Sequence, residues 1–155
     1  MKKINHQTTD KQYKEFMKEC DYWIEFFGMH DWDVIYKYDK ETKSDCYACA
    51  YPDYSSRLVV LCLNKNWGEI KPTLTRVRRY AFHEVDEIRY YKLSKYPIDR
   101  IITVINMKQK DIGKFVVNLK KEMDEIKHML IGADENRIWK PMYEKRFKCK
   151  IKLED

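Results

Sequence analysis

A chain of 155 residues, 44% of them hydrophobic and 14% aromatic, is long enough to bury one core and too apolar to be disordered. Charged residues make up 36% and the net charge is +6, while no apolar run approaches the roughly 20 residues that span a bilayer. These features exclude a membrane span and predict a single domain over 1–155, cytoplasmic because Met1 to Thr8 lacks the apolar core of a signal peptide.

Along the chain, Tyr13, Phe16, Met17, Cys20, Ile24 and Phe27 recur at three- and four-residue intervals, which predicts an amphipathic helix with Asp10 at its cap and Gly28 at its end. From Trp32 the period becomes two: Trp32, Val34, Tyr36 and Tyr38 alternate with polar or outward positions, as in a half-buried strand. Cys46 to Tyr51 and Leu58 to Leu63 read as two further strands, and Pro52 to Ser56 has the residues of a hairpin loop. The simplest product is a three-stranded antiparallel meander.

Pro72 and Thr73 mark a second helix start, after which Leu74, Val77, Ala81, Val85 and Ile88 form one apolar stripe that Pro97 should end. Ile101 to Met107 is a short strand or a buried connection, which periodicity does not decide. Ile112, Phe115, Val116, Leu119, Met123, Ile126 and Leu130 predict a last helix ending near Gly132. The segment 137–155 is basic, with Trp139, Met142, Tyr143 and Phe147 expected against the core. Helix, small sheet, helix, helix is the segregated order of an α+β fold.

The chemistry concentrates in His83-Glu84-Val85-Asp86-Glu87. On a helix, residues i and i+4 lie about 40° apart around the axis and one turn apart along it, so His83 and Glu87 can offer an imidazole and a carboxylate to one ion. Glu84 then stands where the same spacing places the general base of HExxH enzymes. Glu87 in place of a second histidine is a harder, negatively charged ligand; zinc accepts it, and another divalent transition metal such as manganese or iron becomes more plausible. Arg76, Arg78 and Arg79 precede the motif and acids follow it, against the helix-dipole preference, so these positions answer to something besides helix stability. The competing reading is an ordinary charged helix.

Other groupings are weaker. Cys46-Tyr47-Ala48-Cys49 is a lone CxxC whose thiols would face opposite sides of a strand, and five cysteines without framework spacing indicate reduced thiols. His6 and His30 are expected to be exposed, and Tyr80, Tyr90 and Tyr91 are candidate cleft or oxyanion donors beside the motif. No glycine-rich phosphate loop or nucleophile elbow is present.

In their shared order, several segments resemble a family of small phage-encoded, zinc-metallopeptidase-like proteins with an HEVxE helix. They are Trp23 to Gly28, Asp31 to Val34, the strand Leu58 to Leu63 with Asn64 and Trp67 after it, Ala81 to Glu87, and a late helix with Glu125, His128, Ile131 and Glu135. The resemblance spans most of the chain. It implies a minimal zincin-like fold, His83 and Glu87 as zinc ligands, Glu84 as base, and a third ligand from the last helix. His128 is the match for that ligand, with Glu125 or Glu122 as substitutes, since the helical wheel sets His128 nearly opposite the apolar stripe.

The leading expectation is a metal-dependent peptidase acting on a peptide held along an exposed sheet edge such as Cys46 to Tyr51. The alternative is an interaction protein that disables a host protein through a catalytically silent scaffold. A nucleic-acid partner at the C-terminal lysines is the weakest of the three.

Overall fold

The computed structural model describes residues 5–40, 46–104 and 109–153, with side chains outside 91–118. In order these form β1 (His6–Gln7), α1 (Asp10–Phe26), β2 (Asp33–Asp39), β3 (Ala48–Asp53), β4 (Leu58–Asn64), β5 (Asn66–Gly68), α2 (Leu74–Val104), α3 (Gln109–Asp134), a π-helical stretch (Glu135–Trp139) and α4 (Lys140–Phe147). The class is α+β. The chain forms two compact units, Met1–Ile88 and Arg89–Asp155. No described helix is long and apolar enough to cross a membrane.

In the first unit, α1 is capped one residue earlier than its acid suggests. Thr9 Oγ1 accepts from the Gln12 N–H at 3.1 Å and Gln12 Oε1 accepts from the Thr9 N–H at 2.9 Å, a reciprocal capping box. Asp10 is the first helical residue, where its charge suits the helix N-terminus. Gly28 ends the helix at φ +66°, a conformation costly for any residue with a Cβ. Its N–H donates to the Glu25 carbonyl at 3.0 Å.

The three-stranded sheet is not a meander. Its order is β2-β4-β3, with β4 parallel to β2 and antiparallel to β3. Two sequence features explain this order. Leu58 to Leu63 is almost continuously apolar, which suits a central strand, and Val59, Leu61 and Leu63 are fully buried on the face shared with Tyr36 and Tyr38. Pro52 lacks the N–H that a central ladder needs and is tolerated at an edge. A meander would have put Pro52 in the centre. His6, expected to be exposed, is half-buried in β1, which pairs with β5 as a separate two-stranded ribbon; His30 is exposed.

Helix α1 covers the sheet face that carries Tyr36 and Tyr38. The Tyr13 and Tyr38 rings stack at 4.7 Å, Tyr38 Oη donates to the Thr8 carbonyl at 2.8 Å, and Tyr36 Oη donates to Asp21. Two small side chains meet where α1 crosses α2: Cys20 Sγ lies 3.9 Å from the Ala81 carbonyl oxygen. That close approach lets Trp23 and Phe82 pack edge to face at 4.8 Å beside the crossing. Arg78 and Glu15 pair across the same helices at 2.9 Å. The stripe Val77, Ala81, Val85 and Ile88 is buried as the spacing predicts.

Thr73 caps α2, its Oγ1 accepting from the Arg76 N–H at 3.2 Å, but Pro97 does not end the helix, which runs to Val104. A proline removes one ladder hydrogen bond and crowds the carbonyl four residues earlier, which bends a helix more readily than it terminates one. Ile101 to Val104 is therefore helical rather than a strand, and the rest of that segment lies outside the described residues, as do the side chains of Tyr91, Ile112, Phe115 and Val116.

In the second unit, α3 likewise passes through Gly132 and continues through the π-helical stretch into α4, which ends at Lys148 with φ +51°. An interior glycine costs only about 1 kcal/mol relative to alanine, and Ile131, Trp139 and Tyr143, all buried, anchor the helical chain on either side. Ile126 is 44% exposed and Lys127 is buried, so the covered face of α3 is rotated from the expected stripe. The aromatic residues of the basic segment pack as expected, with Trp139, Tyr143 and Phe147 in a ring ladder at 4.8 and 4.5 Å. Asp134, buried, accepts a hydrogen bond from Tyr90 Oη at 2.6 Å and has Arg89 and Arg137 within 3.9 Å.

Candidate metal centre

The middle of α2 lies against the core of the first unit, and the same turn that buries Val85 presents His83, Glu84 and Glu87 together. Their candidate ligand atoms, one imidazole nitrogen and one oxygen from each carboxylate, all lie within 4.8 Å of one another. Helix geometry alone accounts for this convergence, because residues i, i+1 and i+4 share one turn. Glu84 is 5% exposed, whereas His83 and Glu87 are half-buried, so one carboxylate faces inward and the other two groups line its outer side. This His/Glu/Glu cluster is a possible metal-binding triad.

Burial pushes the Cys20 thiol well above its ordinary range, and the charge of Glu84 is the next contribution. Burial first, and Glu84 among the smaller causes, also raise Cys62 and push Cys49 up to about 12. Glu84 thus lies within electrostatic reach of a cysteine on α1 and of two on the paired strands β3 and β4. The inward position of Glu84 is legible in sequence, since it stands seven residues after Val77 and three after Ala81, on the margin of the buried stripe.

The expected third ligand, His128, stands on α3 in the second unit and is 50% exposed. Its Nδ1–H donates to the Asp124 carbonyl oxygen at 2.8 Å, and Asp124 Oδ2 lies 3.5 Å from the same nitrogen. That hydrogen bond selects the tautomer with its lone pair on Nε2. Glu122 and Glu125, the substitutes, are exposed on the same helix. Among the described residues, the group of possible ligands that comes together is His83, Glu84 and Glu87. Tyr80, a candidate cleft residue, packs against Tyr47 and Trp67 with ring centroids 5.4 and 5.3 Å away.

The CxxC pair differs from expectation. β3 begins at Ala48, so Cys46 stands before the strand and is not bound by strand alternation. No protein-family model, curated protein or solved structure matches this chain, so the reading of the site rests on its own residues.

Proposed function

We propose that this chain is a metal-dependent hydrolase of the metallopeptidase type, akin to the phage-encoded minimal zincins, with His83 and Glu87 as ligands and Glu84 as general base. The observation that carries this reading is the convergence of His83, Glu84 and Glu87 within 4.8 Å on one helical turn. An imidazole with carboxylate oxygens is a borderline-to-hard donor set that suits zinc, and manganese or iron almost as well. A divalent ion held there would supply Lewis acidity, polarising a carbonyl and drawing the pKa of water toward neutrality.

The chain's own residues account for the remaining roles. Glu84 accepts the proton of the attacking water on a carboxylate oxygen and returns it to the departing amine, and its burial keeps competing solvent from that oxygen. Strand β3 lies at a sheet edge, where an extended peptide can add main-chain hydrogen bonds.

Zinc-loaded protein incubated with a mixture of unstructured peptides is expected to yield cleavage products by mass spectrometry. A chelator should stop their formation and added zinc should restore it. Products that persist unchanged in chelator would contradict metal-dependent hydrolysis.

One observation favours the alternative, an interaction protein of phage type that inhibits a host protein. Ile35, Val60 and Tyr51 lie in register across the three strands on the sheet face opposite Tyr36 and Tyr38, and Ile35 and Tyr51 are 51% and 62% exposed. An apolar row of this kind suits a protein partner. In that reading Glu84 is dispensable.

A further inference from the structure

The apolar side of α3 is only partly covered. Ile112, Leu119, Ile126 and Ala133 recur every seven residues, and Val116, Met123 and Leu130 follow the first three of them by four. That is the spacing of a helix that packs lengthwise on another helix. The second unit turns a neighbouring face of α3 inward: Lys127, Ile131 and Asp134 are buried, whereas Ile126 is 44% and Met129 74% exposed. Ile126, Met129 and the half-buried Ala133 follow one another at three and four residues, so they form one strip along the outer side. Charge is laid out symmetrically about this strip. Glu122 and Glu125 precede Met129 by seven and four residues, and Arg137 and Lys140 follow Ala133 by four and seven. Both glutamates are exposed, the Arg137 side chain is 73% exposed and Lys140 is half-buried. The π-helical stretch joins α3 to α4 without a break, so all of these residues lie on one helical run.

We propose that this strip is a homodimer interface, in which α3 of one copy lies antiparallel on α3 of a second about a two-fold axis level with Ile131. A second copy is the occupant because the strip is complementary to itself in that orientation. Antiparallel pairing sets Glu122 against Lys140, and Glu125 against Arg137, of the other copy, and two-fold symmetry makes each pair twice. Parallel pairing would set acids against acids and bases against bases, which disfavours that arrangement. In the same register Met129 of each copy meets Ala133 of the other. A long side chain against a small one lets the two axes approach to the roughly 8–10 Å of packed helices. One helix pair sits at the low end of specific interfaces, below about 1,200 Å² in total, so the dimer is weak, with a dissociation constant in the micromolar range. The surface belongs to the second unit alone, and the proposal is independent of the metal reading.

The test is sedimentation of the full chain across the micromolar range, in reductant so that the exposed Cys46 and Cys149 do not cross-link copies. The expected mass rises with concentration from that of one chain toward twice that value. Met129→Asp, at a side chain open to solvent, should keep its circular dichroism and stay monomeric throughout. Glu122→Lys with Glu125→Lys, and separately Arg137→Glu with Lys140→Glu, should each be monomeric, because like charges then meet at both ends. Their equimolar mixture should associate, because opposite charges meet again. Asp134 lies 3.8 Å from Arg137, so if the second pair of substitutions disturbs folding, Met129→Asp and the glutamate variant decide the matter. A monomer at every concentration, association that survives Met129→Asp and the glutamate variant, or two folded charge variants that fail to associate when mixed would each overturn the proposal. Loss of association on Ile35→Ser with Met129→Asp still dimeric would place the interface on the sheet and overturn it as well.

Discussion

Glu84→Gln should lower peptide hydrolysis by roughly two to four orders of magnitude, the usual share of a positioned general base, while metal content stays the same. The substitution is close to isosteric and replaces a buried carboxylate with a neutral amide, so it removes proton transfer without opening a cavity. It carries an internal control that needs no substrate. Burial is the main cause of the raised thiol pKa values of Cys20, Cys49 and Cys62 and the charge of Glu84 a smaller one, so its loss should lower them a little while burial keeps them above the ordinary range. Alkylation rate against pH at the half-buried Cys49 measures this shift. A fall in hydrolysis together with the thiol shift identifies the loss of a buried charge at this place; unchanged hydrolysis with the thiol shift intact would remove Glu84 from the mechanism and favour the interaction reading.

Trp23→Ala should be among the most destabilising single changes, at about 3–5 kcal/mol. Trp23 is fully buried on α1 and packs on Phe82 at 4.8 Å, on Tyr22 at 4.9 Å and on Phe26 at 5.1 Å. A small residue there leaves a cavity directly behind Phe82, the neighbour of His83. Total stabilities of about 5–15 kcal/mol make such a loss large enough to shift the denaturation midpoint severely or to unfold the first unit. Equilibrium unfolding in urea checks it, with Met129→Ala as the comparison. Met129 is 74% exposed, and its substitution should change the midpoint little.

The parts of this structure that follow from local burial are the parts legible in the sequence. Val77, Ala81, Val85 and Ile88 are apolar at helical spacing because one side of α2 is buried, and the alternation at Val34, Tyr36 and Tyr38 reflects a strand covered on one face. The convergence of His83 and Glu87 is equally local, since one helical turn suffices to create it. Strand order is not local. It depends on which strand takes a neighbour on both edges, and the uninterrupted run Leu58 to Leu63 beside the edge-restricted Pro52 held that information without period or motif. Pro97 and Gly132 misled for a different reason: each penalises a helix by a few kcal/mol or less, and such penalties are overcome within a long helical chain. Cys46 stands outside β3 because the strand starts two residues after it, a boundary finer than pattern reading resolves.

The most direct measurement is a zinc titration of the metal-free full chain by calorimetry, with bound metal counted by elemental mass spectrometry, on the unmodified protein and on His83→Ala. A metal centre on α2 predicts one equivalent of tightly bound zinc that is lost in His83→Ala and retained in Cys46→Ser. Equal zinc binding by the unmodified protein and His83→Ala, or binding lost only with Cys46, would contradict it.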